Sequence, residues 1–259
     1  MNKKNFLAIA LALPILLMGA GCASQTSTST PASSGANGTV VVSLTDTAID
    51  MGNITGVTLT ENKIEFHSAT SGWVTASEDT RTFNLLELKS KQELAFVAST
   101  SLAAGNYDKI RVSVVEILVT TKDGATVAAK LPSNKITIKT TINVEAGATT
   151  SVNLDVLADV SLHLTGNGTY IFTPVIKIET RNRASVTVGV ANRVHLEKGE
   201  RASETTEGMD IDGEMKSNFK FGTDHKFDID GEGRIRVTST LGEGRTKVKI
   251  VVPGKVELE

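Results

Sequence analysis

Over most of its length the chain alternates in twos. In Ile136-Thr-Ile-Lys-Thr-Thr-Ile-Asn-Val144, Ile136, Ile138, Ile142 and Val144 share one parity, while Thr137, Lys139, Thr141 and Asn143 share the other. This is the pattern of a strand buried on one face. It recurs in Thr39–Thr45, Val57–His67, Thr82–Leu88, Lys109–Thr121, Thr150–Leu157, Val160–Thr165 and Tyr170–Thr180, with Gly, Asn, Asp and Ser clusters between them. Many short strands punctuated in this way predict an all-β fold, specifically an antiparallel β-sandwich over 39–182. Its expected core includes Val40, Val42, Ile110, Val112, Ile138, Leu154, Phe172 and Ile178. Only Leu88–Ser99 reads as a short helix.

Two runs change parity partway. Ile110, Val112 and Val114 face one way, whereas Ile117 and Val119 continue on the other. A bulge near Val115 and Glu116 would return them to one face. A similar slip between Leu59 and Ile64, across Glu61-Asn62-Lys63, calls for a bulge or a tight turn.

Past Arg181 the charge density rises, with 12 Lys or Arg and 14 Asp or Glu in 184–259. Phe219–Phe221, Lys226–Asp230, Arg234–Leu241 and Thr246–Val252 alternate cleanly and are joined by Gly-containing turns. They predict a second, smaller domain at 184–259, a β-meander or barrel-like unit whose apolar faces need a partner. Glu197–Gly208, without apolar periodicity, reads as a mobile loop.

The start of the chain addresses location. Lys3 and Lys4 precede an apolar stretch, Phe6–Met18, and Gly19-Ala20-Gly21 leads into Cys22, the single cysteine of 259 residues. This is the layout of an export signal at 1–21. The apolar run, about 13 residues, falls short of the roughly 20 that a spanning helix needs. Small residues before a cysteine resemble the lipobox of prokaryotic lipoproteins. That resemblance implies cleavage before Cys22 and lipidation of its sulfur, although Gly19 stands where leucine is preferred. The alternative is ordinary signal cleavage with Cys22 as a free thiol. Residues 22–38 then form a lipidated cysteine and a flexible Ser/Thr-rich tether. With one cysteine the exported part must be stable without disulfides.

The order VSLTDTAID, VTLTENKIEFHSATSGWV, TFNLLEL, LAAGNYDKIRVSV and YIFTPVIKIET resembles domain-of-unknown-function family 4382 of prokaryotic lipoproteins, over about residues 38–181. The family's Asp-Ala-Pro after the first strand stands here as Asp46-Thr47-Ala48, and Glu61 lies where the family is usually apolar. The resemblance implies an exported β domain and brings no assigned activity.

No catalytic residue is identified. The chain contains no G-x-S-x-G, H-E-x-x-H, phosphate-binding glycine loop or dinucleotide fingerprint. His67, His163, His195 and His225 are far apart, and His163, between Leu162 and Leu164, is expected to face solvent. DIDGE occurs twice, at Asp210–Glu214 and Asp228–Glu232. If Asp210, Asp212, Asp228 and Asp230 converged, their oxygens would suit calcium. The competing reading is two hairpin turns at Asp212-Gly213 and Asp230-Gly231, and no other cofactor is expected. Asp46 and Asp50, flanking the loop after the first strand, are a weaker candidate pair.

A sugar platform would have little aromatic material, since Trp73, Tyr107 and Tyr170 are the only Trp and Tyr. Trp73 is expected to pack beside a strand end. Asn37, Asn53 and Asn167 sit in glycosylation triplets. Lys and Arg total 27 against 29 Asp and Glu, a balance that argues against nucleic acid as a partner. The expected function is that of an exported, lipid-anchored cell-envelope protein with a non-enzymatic binding or structural role. Its partners would be the membrane and an envelope protein or polysaccharide. A small-ligand or calcium-binding exported module is the alternative, and an unrecognised hydrolase is third.

Overall fold

A computed structural model describes residues 36–47, 51–241, 245–252 and 255–257. The export segment, Cys22, most of the tether and Asp50 lie outside the described residues. The strands are β1 (Asn37–Thr45), β2 (Ile54–Ser68), β3 (Gly72–Ser77), β4 (Arg81–Asn84), β5 (Leu94–Ala103), β6 (Gly105–Thr121), β7 (Thr126–Ala128), β8 (Lys135–Val144) and β9 (Thr149–Val156). There follow β10 (Leu162–Leu164), β11 (Tyr170–Phe172), β12 (Val175–Val188), β13 (Arg193–Met209), β14 (Met215–Ser217), β15 (His225–Ile229), β16 (Ile235–Leu241), β17 (Arg245–Val252) and β18 (Lys255–Glu257). Two short helices interrupt them, α1 (Leu85–Lys91) and α2 (Ala158–Ser161). The fold is all-β, as the alternation requires.

Two six-stranded sheets make the body. One runs β12-β9-β1-β5-β13-β14; in the other β2 and β6 lie side by side, with β3 and β4 on the free edge of β2 and β7 and β8 on that of β6. Their facing sides carry one continuous core, including Val40, Val42, Leu59, Phe66, Ile110, Val112, Ile138, Leu154, Phe172 and Ile178. Every side chain expected in the core is buried. The sandwich is not wholly antiparallel, because β1 pairs antiparallel with β5 but parallel with β9, Val42 lying opposite Val152. The cause is the sheet change at Glu145–Ala148. The chain leaves β8 in one sheet and enters β9 in the other, running alongside β1. Gly38 permits that crossing, since a Cβ there would lie 2.3 Å from the carbonyl oxygen of Glu145.

Two opposed bulges reconcile the parity slips. Thr60 pairs with Glu116, Glu61 with Val114, and Lys63 with Ser113, so Val115 on β6 and Asn62 on β2 are each left without a partner. Both are exposed, and removing them from the count leaves a regular ladder with Leu59, Glu61 and Ile64 facing inward opposite Ile117, Val114 and Val112.

Several expectations need correction. The helix starts at Leu85, capped by the Asn84 side chain accepting from the Glu87 N–H, and ends at Gln92 in the left-handed region. Leu85–Leu88 is therefore helix rather than strand, and Leu94 onward is strand β5, because its alternating residues pair with β1. Glu197–Gly208 is not a loop but part of β13, paired with β12 from Val194 to Gly208. Its ladder compensates for the missing apolar period, and charged pairs such as Lys177–Glu204, at 3.0 Å, line it. Residues 193–217 thus extend the large sheet, across the boundary drawn at 182/184. Phe219–Phe221 is irregular rather than a strand: β14 ends at Ser217, and the chain closes so tightly on β13 that a Cβ on Gly208 would lie 2.0 Å from the Phe219 carbonyl oxygen. The strands β15-β16-β17-β18 form the meander, and Phe227, Ile235 and Val237 bury themselves against Ile171 and Ile211.

Deleting Asn62 and Val115 together is expected to preserve the fold and to move the melting temperature by only a few degrees. Ile138→Ala, which opens a void between the sheets, should cost about 2–4 kcal/mol. Thermal unfolding of the two variants beside the parent protein tests both.

Candidate functional site

The sheet containing β1 closes on itself. Ile178 pairs with Leu154, Leu154 with Leu44, Leu44 with Ala95 and Ala95 with Arg193, whose carbonyl accepts from the N–H of Gly189, the residue just past β12. The circuit leaves β12 at 178 and returns at 189, a stagger of 11 residues (189 − 178), so the strands must tilt steeply. The face turned from the main core then forms a polar trough of about 580 Å³, lined by Thr45, Asn153, Asp155, Lys177, Glu179 and Leu94, together with Asp46, Thr47, Lys89 and Gln92.

Within the trough, side chains of opposite sense are already matched. Asp155 accepts from the Thr47 N–H at 2.9 Å and from its hydroxyl at 2.6 Å. Ser43 donates to Asn153 at 3.1 Å, and Thr45 donates to the Glu93 carbonyl at 2.9 Å. Asp46, only 1% exposed, accepts from the Ala158 N–H at 3.4 Å and ties the loop to α2. Glu179 is bridged by Arg181 and by Arg201. The arrangement can hold a polar ligand by exchanging hydrogen bonds. Its carboxylates Asp46 and Asp155 are used to fix the rim.

The four DIDGE aspartates are placed in two separate hairpins, and the two copies are out of step. One five-residue turn occurs at Thr121–Ala125, Thr165–Thr169, Asp210–Glu214 and Asp230–Arg234, its first N–H donating to the fifth carbonyl and its fourth N–H to the first carbonyl. The fourth residue is a left-handed glycine each time: Gly124, Gly168, Gly213 and Gly233. This is the three-residue hairpin loop with a glycine bulge. In the first copy Asp212-Gly213 holds the expected place, but in the second the left-handed residue is Gly233 rather than Gly231. Each aspartate is engaged locally. Lys216 bridges Asp210 and Asp212, the Asp228 carboxylate accepts from the Ile229 N–H, and Arg234 pairs with Asp230 at 2.6 Å. Hydrogen bonds from the Arg234 and Glu232 N–H groups and from the Arg234 guanidinium hold the Asp230 carboxyl below its usual range. Among the described residues, no three His, Cys, Asp or Glu side chains gather as a metal site.

His163 and His225, far apart in the chain, come together around Phe221, with ring centroids 5.8 Å and 5.4 Å from it, and His163 does not face water. It stacks on Phe227, with ring centroids 4.0 Å apart and planes at 14°, and shares a 2.8 Å hydrogen bond with Thr173. The reason is the meander, which folds back over β10 and covers a residue that the local pattern leaves outside. Burial, reinforced by the charge of His225, pushes the His163 imidazole down to about 4. His225 accepts from the Gly222 N–H, and His195 lies in register with Thr187. His67 pairs with Asp108 at 2.6 Å. Trp73, opposite His67 at the edge of the sheet, lies under the Arg111 guanidinium at 3.6 Å. Asn37, Asn53 and Asn167 are all exposed.

One residue with altered chemistry is marked in the sequence only as an acid where the family is usually apolar, with no chemical role. Glu61, at the paired bulges, is 1% exposed. Its Oε2 and the Nε of Arg81, its cross-strand partner on β4, both lack hydrogen-bond partners although both are buried. Loss of water pushes the Glu61 carboxyl up to about 7, against the opposing pull of Arg81 and of the Lys63 N–H. The signal for it was the acid on the apolar parity of β2.

Residues 37–174, more than half of the 259, match the family described as domain of unknown function (DUF4382), and the chain belongs to that family. No curated protein and no solved structure matches it.

Two pH responses follow, with opposite signs. The Glu61 carboxyl is raised in the fold, so the folded state holds the extra proton between about 4.5 and 7, and stability falls as pH rises through that window. Glu61→Gln should therefore melt above the parent at pH 8, by on the order of 1–3 kcal/mol, with the gap narrowing toward pH 4.5. His163 is lowered, so its contribution is complete above about 6.5 and is lost as pH falls toward about 4. His163→Phe should flatten the acid limb of the melting curve, and Phe227 exchange protection followed by mass spectrometry should fall with pH only in the parent.

Proposed function

We propose that this protein is exported, is anchored to a membrane through lipid on Cys22, and serves the cell envelope by binding rather than by catalysis. The observation that carries the reading is the run of two lysines, a short apolar segment, Gly19-Ala20-Gly21 and then the single cysteine. Each buried methylene contributes about 0.8 kcal/mol, so two or more acyl chains would hold the protein essentially permanently. Among the described residues, no helix is long and apolar enough to cross a membrane. Between Cys22 and the first strand at Asn37 run 14 residues, Ala23–Ala36, rich in Ser and Thr. A flexible chain of that length has a root-mean-square span of about 20 Å, enough to lift the β domain clear of lipid headgroups.

Two features favour binding. The sheet faces and most of the trough lining are built on strands, the setting in which recognition groups keep their spacing. Asp46 and Asp155, the acids that a hydrolytic reading would recruit in the trough, are committed to backbone N–H groups of Thr47 and Ala158.

Replacing Cys22 with Ser should leave the signal uncut or release the protein from the membrane fraction. Intact mass of the parent protein should show a chain beginning at Cys22 and carrying acyl groups. A mature chain starting elsewhere with no acyl mass would sink the anchor.

A further inference from the structure

The solvent face of β3-β2-β6-β8 is a lattice whose rows the register defines. Trp73, His67, Lys109 and Lys139 stand in one row, each opposite the next. The next row holds Thr75, Glu65, Arg111 and Thr137, and beyond it Lys63, Ser113 and Lys135 align. Neighbouring strands are about 4.8 Å apart, and alternate residues along a strand about 6.6 Å.

Charge is divided unevenly over this face. On the β2 side the acids are spent locally. Glu65 lies 3.5 Å from Lys63 and 3.4 Å from Arg111, Glu78 lies 3.2 Å from Lys63, and Asp108 lies 2.6 Å from His67. On the β6–β8 side, Lys109 reaches only Asp108, at 3.9 Å, and neither Lys135 nor Lys139 has a carboxylate within ion-pair distance among the described residues. Lys109 and Lys139 are direct cross-strand partners, an arrangement of like charges that weakens a sheet. A face that sets Lys139 and Lys135, which have no ion pair among the described residues, beside Lys109, whose one acid is 3.9 Å away, is complementary to an extended polyanion. At its corner Trp73 lies under the Arg111 guanidinium and beside the tilted His67 ring, 5.0 Å away between ring centroids. This offers a rigid aromatic edge with little side-chain entropy left to lose.

We infer that the solvent face of β3-β2-β6-β8 binds an acidic polysaccharide, its anionic groups lying over Lys109, Lys139 and Lys135 and its sugar rings against the Trp73–Arg111 stack. The choice of a glycan among polyanions rests on the envelope reading above, and on the aromatic corner beside the cations. Binding should weaken as salt rises, since each lysine acts largely through charge.

The test uses the full chain in detergent, with polygalacturonate as the acidic glycan, dextran as a neutral one and single-stranded DNA as a polyanion without sugar acids. Binding to polygalacturonate but not dextran is expected, at least tenfold weaker in the K109Q/K135Q/K139Q variant and severalfold weaker in W73A. The triple variant should melt at or above the parent temperature, because the facing lysines no longer repel, so lost binding cannot be ascribed to unfolding. Undiminished binding by that variant, equal binding to dextran, or a preference for DNA that W73A leaves unchanged would each overturn the proposal. The Cys22→Ser chain should bind the glycan as the parent does; its membrane release tests the anchor separately.

Discussion

Two neighbouring strands of 15 and 17 residues, β2 and β6, must keep one face inward along their whole length, and the sandwich depends on that constraint. They bring Val57, Leu59, Ile64 and Phe66 and Ile110, Val112, Val114, Ile117 and Val119 to the core. Strands so long twist, and a single uncorrected slip would turn half of those side chains to water. Placing one extra residue on each strand, on either side of the Glu61–Val114 pair, absorbs the twist without losing register. The same device explains the odd chemistry at its centre. Glu61 follows Leu59 on the inward parity, so the geometry that protects the core also carries a carboxyl into it.

Much of this was legible in the chain because alternation is a local property. The inward set from Val40 to Ile178, the bulge at Val115 and the second slip at Asn62 follow from parity alone. What parity does not reveal is which strand lies next to which. β13 lacks apolar alternation because its long ladder with β12 and a set of ion pairs order it; the ladder's partners lie from 6 positions (194 − 188) to 33 positions (208 − 175) away, and the ion pairs reach across it. His163 looked exposed because nothing nearby announces that Phe227, 64 residues later (227 − 163), will cover it. The parallel pairing of β1 with β9 is likewise settled by a sheet change at Glu145–Ala148 that leaves only a turn signature. The trough was the least legible feature, since its lining comes from β1, β5, β9, β12, α1 and the loop after β1, and of those residues the sequence marks only Asp46 and Thr47.

Carboxylates in this protein serve as fasteners. Asp155 holds Thr47, Asp46 holds α2, Asp210, Asp212 and Asp230 brace their turns against a lysine or an arginine, and Asp228 accepts from the next N–H in its strand. That habit leaves the chain nearly neutral in sum while allowing local surplus, and the β6–β8 face, where lysines outnumber the acids in reach, is such a place.

β1 occupies the middle of its sheet, yet its two neighbours arrive late. β5 begins 49 residues after the end of β1 (94 − 45), and β9 begins 104 after it (149 − 45). As the chain is made from its N-terminus, the Thr39–Thr45 strand, with Val40, Val41 and Val42 in succession, must wait for β5, which ends at Ala103, to be paired on one edge, and for β9, which begins at Thr149, to be paired on the other. Closing loops of that size precedes any reward from the contacts they bring, so assembly around β1 is slow relative to the local β2–β3 hairpin. An apolar strand kept waiting is a template for pairing with other chains. Crowded synthesis therefore favours aggregation of this protein at its first strand, and a holding factor that covers residues near 40 would raise its folding yield more than one acting anywhere later.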